Sequence, residues 1–171
     1  LSDLITEATG VQATTTSTCV LEAHQALEMN KVFMVTPYPE STNKVEVDFL
    51  AANGIEITGF TSFNCENSKD MGFITPTQIK EKILSNKEKI KQGDGVFVSC
   101  TALRTMEVIE ELEKELGLPV ISSNQATLWK TIDILGENKK RIPGGRLFNL
   151  SNTGNGEKVD YLQKWKELCS W

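Results

Sequence analysis

The chain has 171 residues, 39% hydrophobic and 24% charged, with a net charge of −5 at neutral pH. At about 150 residues per domain, that size fits one domain, or one domain with part of another, and it can bury enough apolar surface to need no disulfide staples. Mean hydropathy is −0.24, no apolar run approaches the ~18 residues of a membrane span, and no basic block offers a phosphate-tracking surface, so neither a membrane nor a nucleic acid is expected as partner.

Residues 1–30 read as a helix end over Leu1–Thr9, a short strand near Val11–Thr16 and a helix from about Thr18 to Met29. They cannot form a core alone. The first residue is Leu1 rather than Met, which reads as a processed chain or a piece of something longer. Val32–Thr36 is a short β-branched apolar run ending at Pro37, the pattern of a strand buried on both faces. Glu40–Asn53 follows as a helix with Val45, Phe49 and Leu50 inward and Gly54 as its stop. Ile55–Phe63 is a second strand, and Asn64–Phe73 a polar loop. Thr75, Pro76 and Gln78 spell a capping box with proline at the first helical position. That helix is expected to run to about Gln92 on Ile79, Ile83, Leu84 and Ile90.

Gly95–Cys100 is a third strand, and the helix after it carries Met106, Ile109, Leu112 and Leu116 up to Gly117. Pro119–Ser122 is a fourth strand, followed by a helix on Trp129, Ile132 and Leu135 that stops at Gly136. Strand–helix alternation with short connections predicts an α/β fold: a four-stranded parallel sheet flanked by helices, with right-handed crossovers. The organisation is therefore 1–30 as a leading segment, 31–135 as the α/β unit, and 136–171 as a loop with a C-terminal helix. The last of these, Glu157–Trp171, has an apolar stripe that needs a partner. Gly144-Gly145 is too short a signal for a phosphate loop.

Ligand sites in parallel sheets lie beyond the C-terminal ends of the strands. Those ends deliver Thr36-Pro37-Tyr38, Asn64 to Asn67, Ser99-Cys100-Thr101 and Ser122-Ser123-Asn124. Cys100 is the sharpest candidate, because a helix start after a buried strand favours a thiolate that can move a proton or attack carbon. Its plain reading is a small buried hydrophobe. Tyr38 could give its hydroxyl to an anion or simply cover the core. Asn67 offers donor and acceptor but also suits a turn. Arg104 could meet a carboxylate or stay solvated. The run Thr14–Thr18 reads best as a helix cap.

The four cysteines, at 19, 65, 100 and 169, form no C-x-x-C pair, and His24 is the single histidine. Neither a zinc site nor a secreted disulfide framework is expected, and a reducing cytoplasm is. Cys19, Cys65 and Cys169 read as packing or surface residues, and His24 as packed or solvated rather than a general base.

The segments V-Q-A-T-T-T-S-T-C-V-L-E-A (11–23), V-T-P-Y (35–38) and F-L-A-A-N-G-I-E-I (49–57) together resemble the aspartate/glutamate racemase superfamily. V-S-C-T-A-L-R-T (98–105), P-V-I-S-S-N-Q-A-T-L-W (119–129) and I-P-G-G-R-L-F (142–148) narrow the resemblance to its maleate cis-trans isomerase and arylmalonate decarboxylase branch, over about residues 1–148. The resemblance implies two α/β lobes with the active site between them. It makes 31–135 the second lobe, 1–30 a remnant of the first, and 136–171 a segment returning toward the first. It assigns Cys100 as the second-lobe catalytic cysteine, Tyr38 and Asn67 as substrate-binding residues, and backbone groups around Thr101 as a carboxylate holder. The loop bearing Asn67 is about one residue longer here.

The first-lobe cysteine motif, of the kind C-T-S-G-S, has no counterpart in the sequence and is expected upstream. With Cys100 alone, isomerisation by cysteine addition is expected to fail, whereas a one-cysteine decarboxylase keeps its proton donor. The resemblance thus implies a cofactor-independent, metal-free, cysteine-based isomerase of small dicarboxylates, in truncated form. Arylmalonate-type decarboxylation ranks second. A non-catalytic paralogue acting as an interaction module is third. The expected partner is a small-molecule dicarboxylate, and a homo-oligomer is left open.

Overall fold

The computed structural model describes residues 1–139 and 142–150. In chain order these hold α1 (Ser2–Thr9), α2 (Thr16–Ala26), β1 (Lys31–Thr36), α3 (Glu40–Ala52), β2 (Glu56–Ser62), α4 (Ser68–Phe73) and α5 (Pro76–Leu84). There follow α6 (Lys87–Ile90), β3 (Gly95–Val98), α7 (Ile109–Leu116), β4 (Val120–Ser122), α8 (Ser123–Ile134) and α9 (Gly145–Asn149). The four strands form one parallel sheet in the order β2-β1-β3-β4.

Strand periodicity divides the core in two. Val32 and Met34 of β1, Phe97 of β3 and Ile121 of β4 face a layer with Val20, Ala23, Leu50 and Trp129, from α2, α3 and α8. Their sequence neighbours Phe33, Val35, Val96, Val98 and Val120 face the other way, onto Ile79, Ile83, Ile109 and Leu112 of α5 and α7. Side chains alternate along a strand, so burying both faces requires continuous apolar runs, as read from the sequence. Cys19 of α2 is completely buried in the first layer, so this segment shares the core of the α/β unit.

The order β2-β1-β3-β4 means the chain leaves β1 to one side and returns to the other. The C-terminal ends of β1 and β3 therefore flank the crevice where strand order reverses. That places Thr36-Pro37-Tyr38 beside Ser99-Cys100-Thr101.

Several elements depart from expectation. Residues 11–15 pair with no strand among the described residues; Thr15 is instead the N-cap of α2, its hydroxyl accepting from the Thr18 amide at 3.2 Å. The loop 64–73 contains α4. The capping box of Thr75 and Gln78 is present, but the helix after it breaks at Ser85-Asn86. There Ser85 Oγ and Asn86 Nδ2 both donate to the Lys82 carbonyl, taking over bonds that would continue the helix. Helix α3 is rotated: Val45 and Phe49 are exposed, and Asn43 and Leu50 are its buried residues. Met106 lies ahead of α7 rather than in it.

Within the expected loop 137–156, α9 is docked by Glu113, whose buried carboxylate accepts from the Val120 and Arg146 amides at 3.0 and 2.8 Å. Gly145, at φ 67, lies so close to Glu113 that a Cβ would meet Oε2 at 2.5 Å. The Gly144-Gly145 pair thus serves packing. The apolar stripe of 157–171, with Cys169, lies outside the described residues.

Candidate active site

The backbone around Tyr38 is tied on three sides. The Tyr38 amide donates to Thr36 Oγ1 at 3.3 Å, and its carbonyl accepts from Asn43 Nδ2 at 3.0 Å and from Ser62 Oγ. Asn43, turned inward on α3, also accepts from the buried Thr36 hydroxyl. This polar tie explains why an asparagine rather than Val45 faces the sheet.

Cys100 follows β3 with φ 106, an unfavourable conformation for a residue with a Cβ. Its amide donates to Ser123 Oγ at 3.2 Å, and its sulfur accepts from the Ala102 amide at 3.4 Å. Asn124 Nδ2 reaches the carbonyls of Thr101 and Leu103 at 2.9 and 3.2 Å, closing the turn from the start of α8. The expectation that Cys100 opens a helix is corrected here. Helix α7 begins only at Ile109, because residues 101–108 form turns. The sulfur meets one turn amide instead of a helix N-terminus.

Tyr38, Cys100 and Thr101 line one cavity of about 220 Å³, with Ser99, Ser123 and Glu46. Thr16 and Ser17, in the first turn of α2, close another side. Burial pushes the Tyr38 phenol well above its usual range; the adjacent Cys100 thiol and Glu46 carboxyl add to this, and the Ser99 hydroxyl opposes it. Burial likewise raises the Glu46 carboxyl, while a hydrogen bond from Ser99 Oγ to Oε1 opposes the shift. Glu46 Oε2 is buried without a partner.

Asn67 is placed elsewhere. It is the N-cap of α4, its Oδ1 accepting from the Asp70 amide at 3.0 Å and its Nδ2 donating to Asp70 Oδ2 at 2.6 Å. It is exposed and does not line the cavity. Cys65 is half-buried, its thiol raised by burial, then by Asp70 and Cys100. Arg104 pairs with Glu107 at 2.7 Å. His24 is fully packed, Nδ1 on the Val20 carbonyl at 2.8 Å and the ring edge-on to Phe97. It borders a larger cleft of about 740 Å³ with Asn30, Asn53 and Gly54, at the opposite end of the strands and without a thiol.

The sequence places Ser99 and Ser123 at the strand ends that face this cavity, but Glu46 was missed. Its helical spacing, three residues after Asn43 and four before Leu50, points to this face only once the structure shows those two positions buried.

Comparisons with known proteins agree with this fold. The model of the arylmalonate decarboxylase family matches residues 1–148. The arylmalonate decarboxylase of Bordetella bronchiseptica is 34% identical over 146 residues, covering 85% of this chain and 61% of that protein. A maleate isomerase of Geobacillus stearothermophilus is 25% identical over 117 residues, covering 68% of this chain and 46% of that protein. Among solved structures, a glycine-to-cysteine variant of arylmalonate decarboxylase in a sulfate-associated form superposes with a TM-score of 0.78 at 32% identity, over 87% of this chain and 64% of that one. The chain spans 44% to 61% of the length of the curated relatives it matches.

Proposed function

Because the chain belongs to the arylmalonate decarboxylase family, we propose that Cys100 moves a proton to or from the carbon next to a carboxylate in a small di-acid. The observation that carries this reading is one cavity, at the reversal point of the sheet, shared by the Cys100 thiol, the Tyr38 hydroxyl and Thr101. Tyr38 stays a protonated donor, since burial holds its phenol high, and it can give a hydrogen bond to a carboxylate oxygen. The Ala102 turn amide, at 3.4 Å from the sulfur, is a backbone donor beside it. Asn67, occupied as a helix cap, is a weaker candidate for substrate contact than Glu46 or Ser99.

Two reactions share this proton step. In decarboxylation the bond from the α-carbon to one carboxylate breaks, CO2 leaves, and the electron pair spreads into the remaining carboxylate as an enediolate. Cys100 S–H then protonates the α-carbon, and the thiolate recovers a proton from solvent. One thiol suffices, and among the described residues Cys100 is the one thiol lining the cavity. In cis-trans isomerisation a second thiolate adds to the double bond, Cys100 protonates the neighbouring carbon, the new single bond rotates, and both steps reverse. That reading needs a second thiol beyond this cavity. The sequence-based preference for isomerisation no longer leads, because similarity is at least as high to a decarboxylase. Neither reaction calls for an electron donor or acceptor.

The test is turnover of maleate to fumarate and release of CO2 from phenylmalonate, each with wild type and Cys100→Ser. One of the two substrates is expected to react, and Cys100→Ser to lose about a hundredfold or more, the usual worth of a positioned proton donor. Undiminished turnover by Cys100→Ser would sink the assignment. Inertness toward both substrates would favour the non-catalytic interaction module.

A further inference from the structure

Glu46 is the one carboxyl lining the Cys100 cavity, and among the described residues that lining contains no cationic side chain. One of its oxygens is fixed by the Ser99 hydroxyl. The other, Oε2, is buried and unpartnered. A buried carboxylate with a single hydroxyl donor is under-compensated, and an anionic ligand in the same cavity would add repulsion. A neutral carboxyl resolves both costs: Glu46 lines the cavity, and Oε2–H is then a donor with no other partner. The direction in which burial already moves this group agrees. The titratable groups facing Glu46 are Tyr38 and Cys100. Helix α2 presents Thr16 and Ser17, and the one ionisable residue of β2, Glu56, is paired with Lys31 at 3.2 Å.

We propose that Glu46 binds substrate as a neutral acid, its Oε2–H donating to a carboxylate oxygen of the di-acid on which Cys100 acts, so that binding takes up one proton wherever the free carboxyl is ionised. This rests on the carboxylate-ligand reading above and adds how the site tolerates a second anion without a cation.

The probe is fumarate, whose own carboxyls are ionised above about pH 6. Calorimetric titration of the full chain from pH 6 to 8 compares wild type with Glu46→Gln, which is a permanent donor of similar shape. Wild-type affinity is expected to fall, approaching about tenfold per pH unit above the carboxyl's own midpoint, and Glu46→Gln to bind independently of pH. An infrared band of a protonated carboxyl, strengthened by fumarate and absent from Glu46→Gln, is the second expected signature. Fumarate binding that rises with pH, keeps its fall in Glu46→Gln, or is flat with no protonated-carboxyl band in wild type overturns the Glu46 proposal and leaves the carboxylate site standing. Absence of any fumarate binding overturns both together.

Discussion

Cys100, the thiol proposed to move the proton, has a backbone angle of 106° that side-chain-bearing residues rarely adopt. Such conformations cost of order 1–3 kcal/mol and persist where surrounding bonds hold them. Here the Ser123 hydroxyl and the Asn124 amide do so. Glycine would relieve the strain but gain freedom in the unfolded chain. Cys100→Gly is therefore expected to be more stable than Cys100→Ser by up to about 1 kcal/mol, while both lose the thiol. Urea denaturation of the pair decides it, and a less stable glycine variant would mean that residue 100 is unstrained. The strained residue both lines the cavity and packs in the second core layer.

At the scale of elements, the site is assembled by junctions. Strand β4 passes into α8 with no loop, because Ser122 ends one and caps the other, in a capping box with Gln125. This brings Ser123 and Asn124 under the Cys100 turn. Asn124→Ala removes two hydrogen bonds to carbonyls of that turn. It is expected to cost about 1 kcal/mol and to speed amide hydrogen exchange over 101–105 more than in the sheet. Unchanged exchange there would show that the turn holds itself. Helix α3 works in the same way through Asn43 on the Tyr38 side, and it contributes Glu46 one turn later.

Over the whole molecule, the two core layers differ in what they bury. The layer containing α2 includes His24, which burial holds below its ordinary value of 6.5. Above that value the imidazole is neutral in both folded and unfolded chains, and it adds no pH dependence. Below it the unfolded chain takes up a proton that the folded chain refuses, so stability falls as pH falls. Wild type is expected to lose stability relative to His24→Gln between pH 7 and 5, with Glu46 and Glu113 cancelling in the difference. His24 is the single histidine, so its ring resonances report the titration directly. A midpoint at or above 6.5 in the folded protein would contradict the burial argument. Among the described residues, no helix is long and apolar enough to cross a membrane.

The sequence by itself determined the four strands, the parallel sheet and its flanking helices, because continuous β-branched runs between capped helical segments admit few other packings. The capping box at Thr75 and the glycines that end helices, Gly54, Gly117 and Gly136, were equally legible as local chemistry. The sequence also carried the family, and through it Cys100, Tyr38 and Thr101, which the structure gathers into one cavity. Only tertiary structure decided the rest. Which face of α3 turns inward depends on hydrogen bonds from Asn43 to residues on β1 and its loop, not on the apolar period of the helix. The turn at Cys100 depends on side chains from residues 123 and 124. Glu46 reads along the chain as an ordinary solvated charge, and only the sheet packed beneath it and α2 across from it enclose its carboxyl. Long-range burial sets desolvation, and desolvation rather than residue type decides which carboxyls in this chain, Glu46 and Glu113, are pushed up.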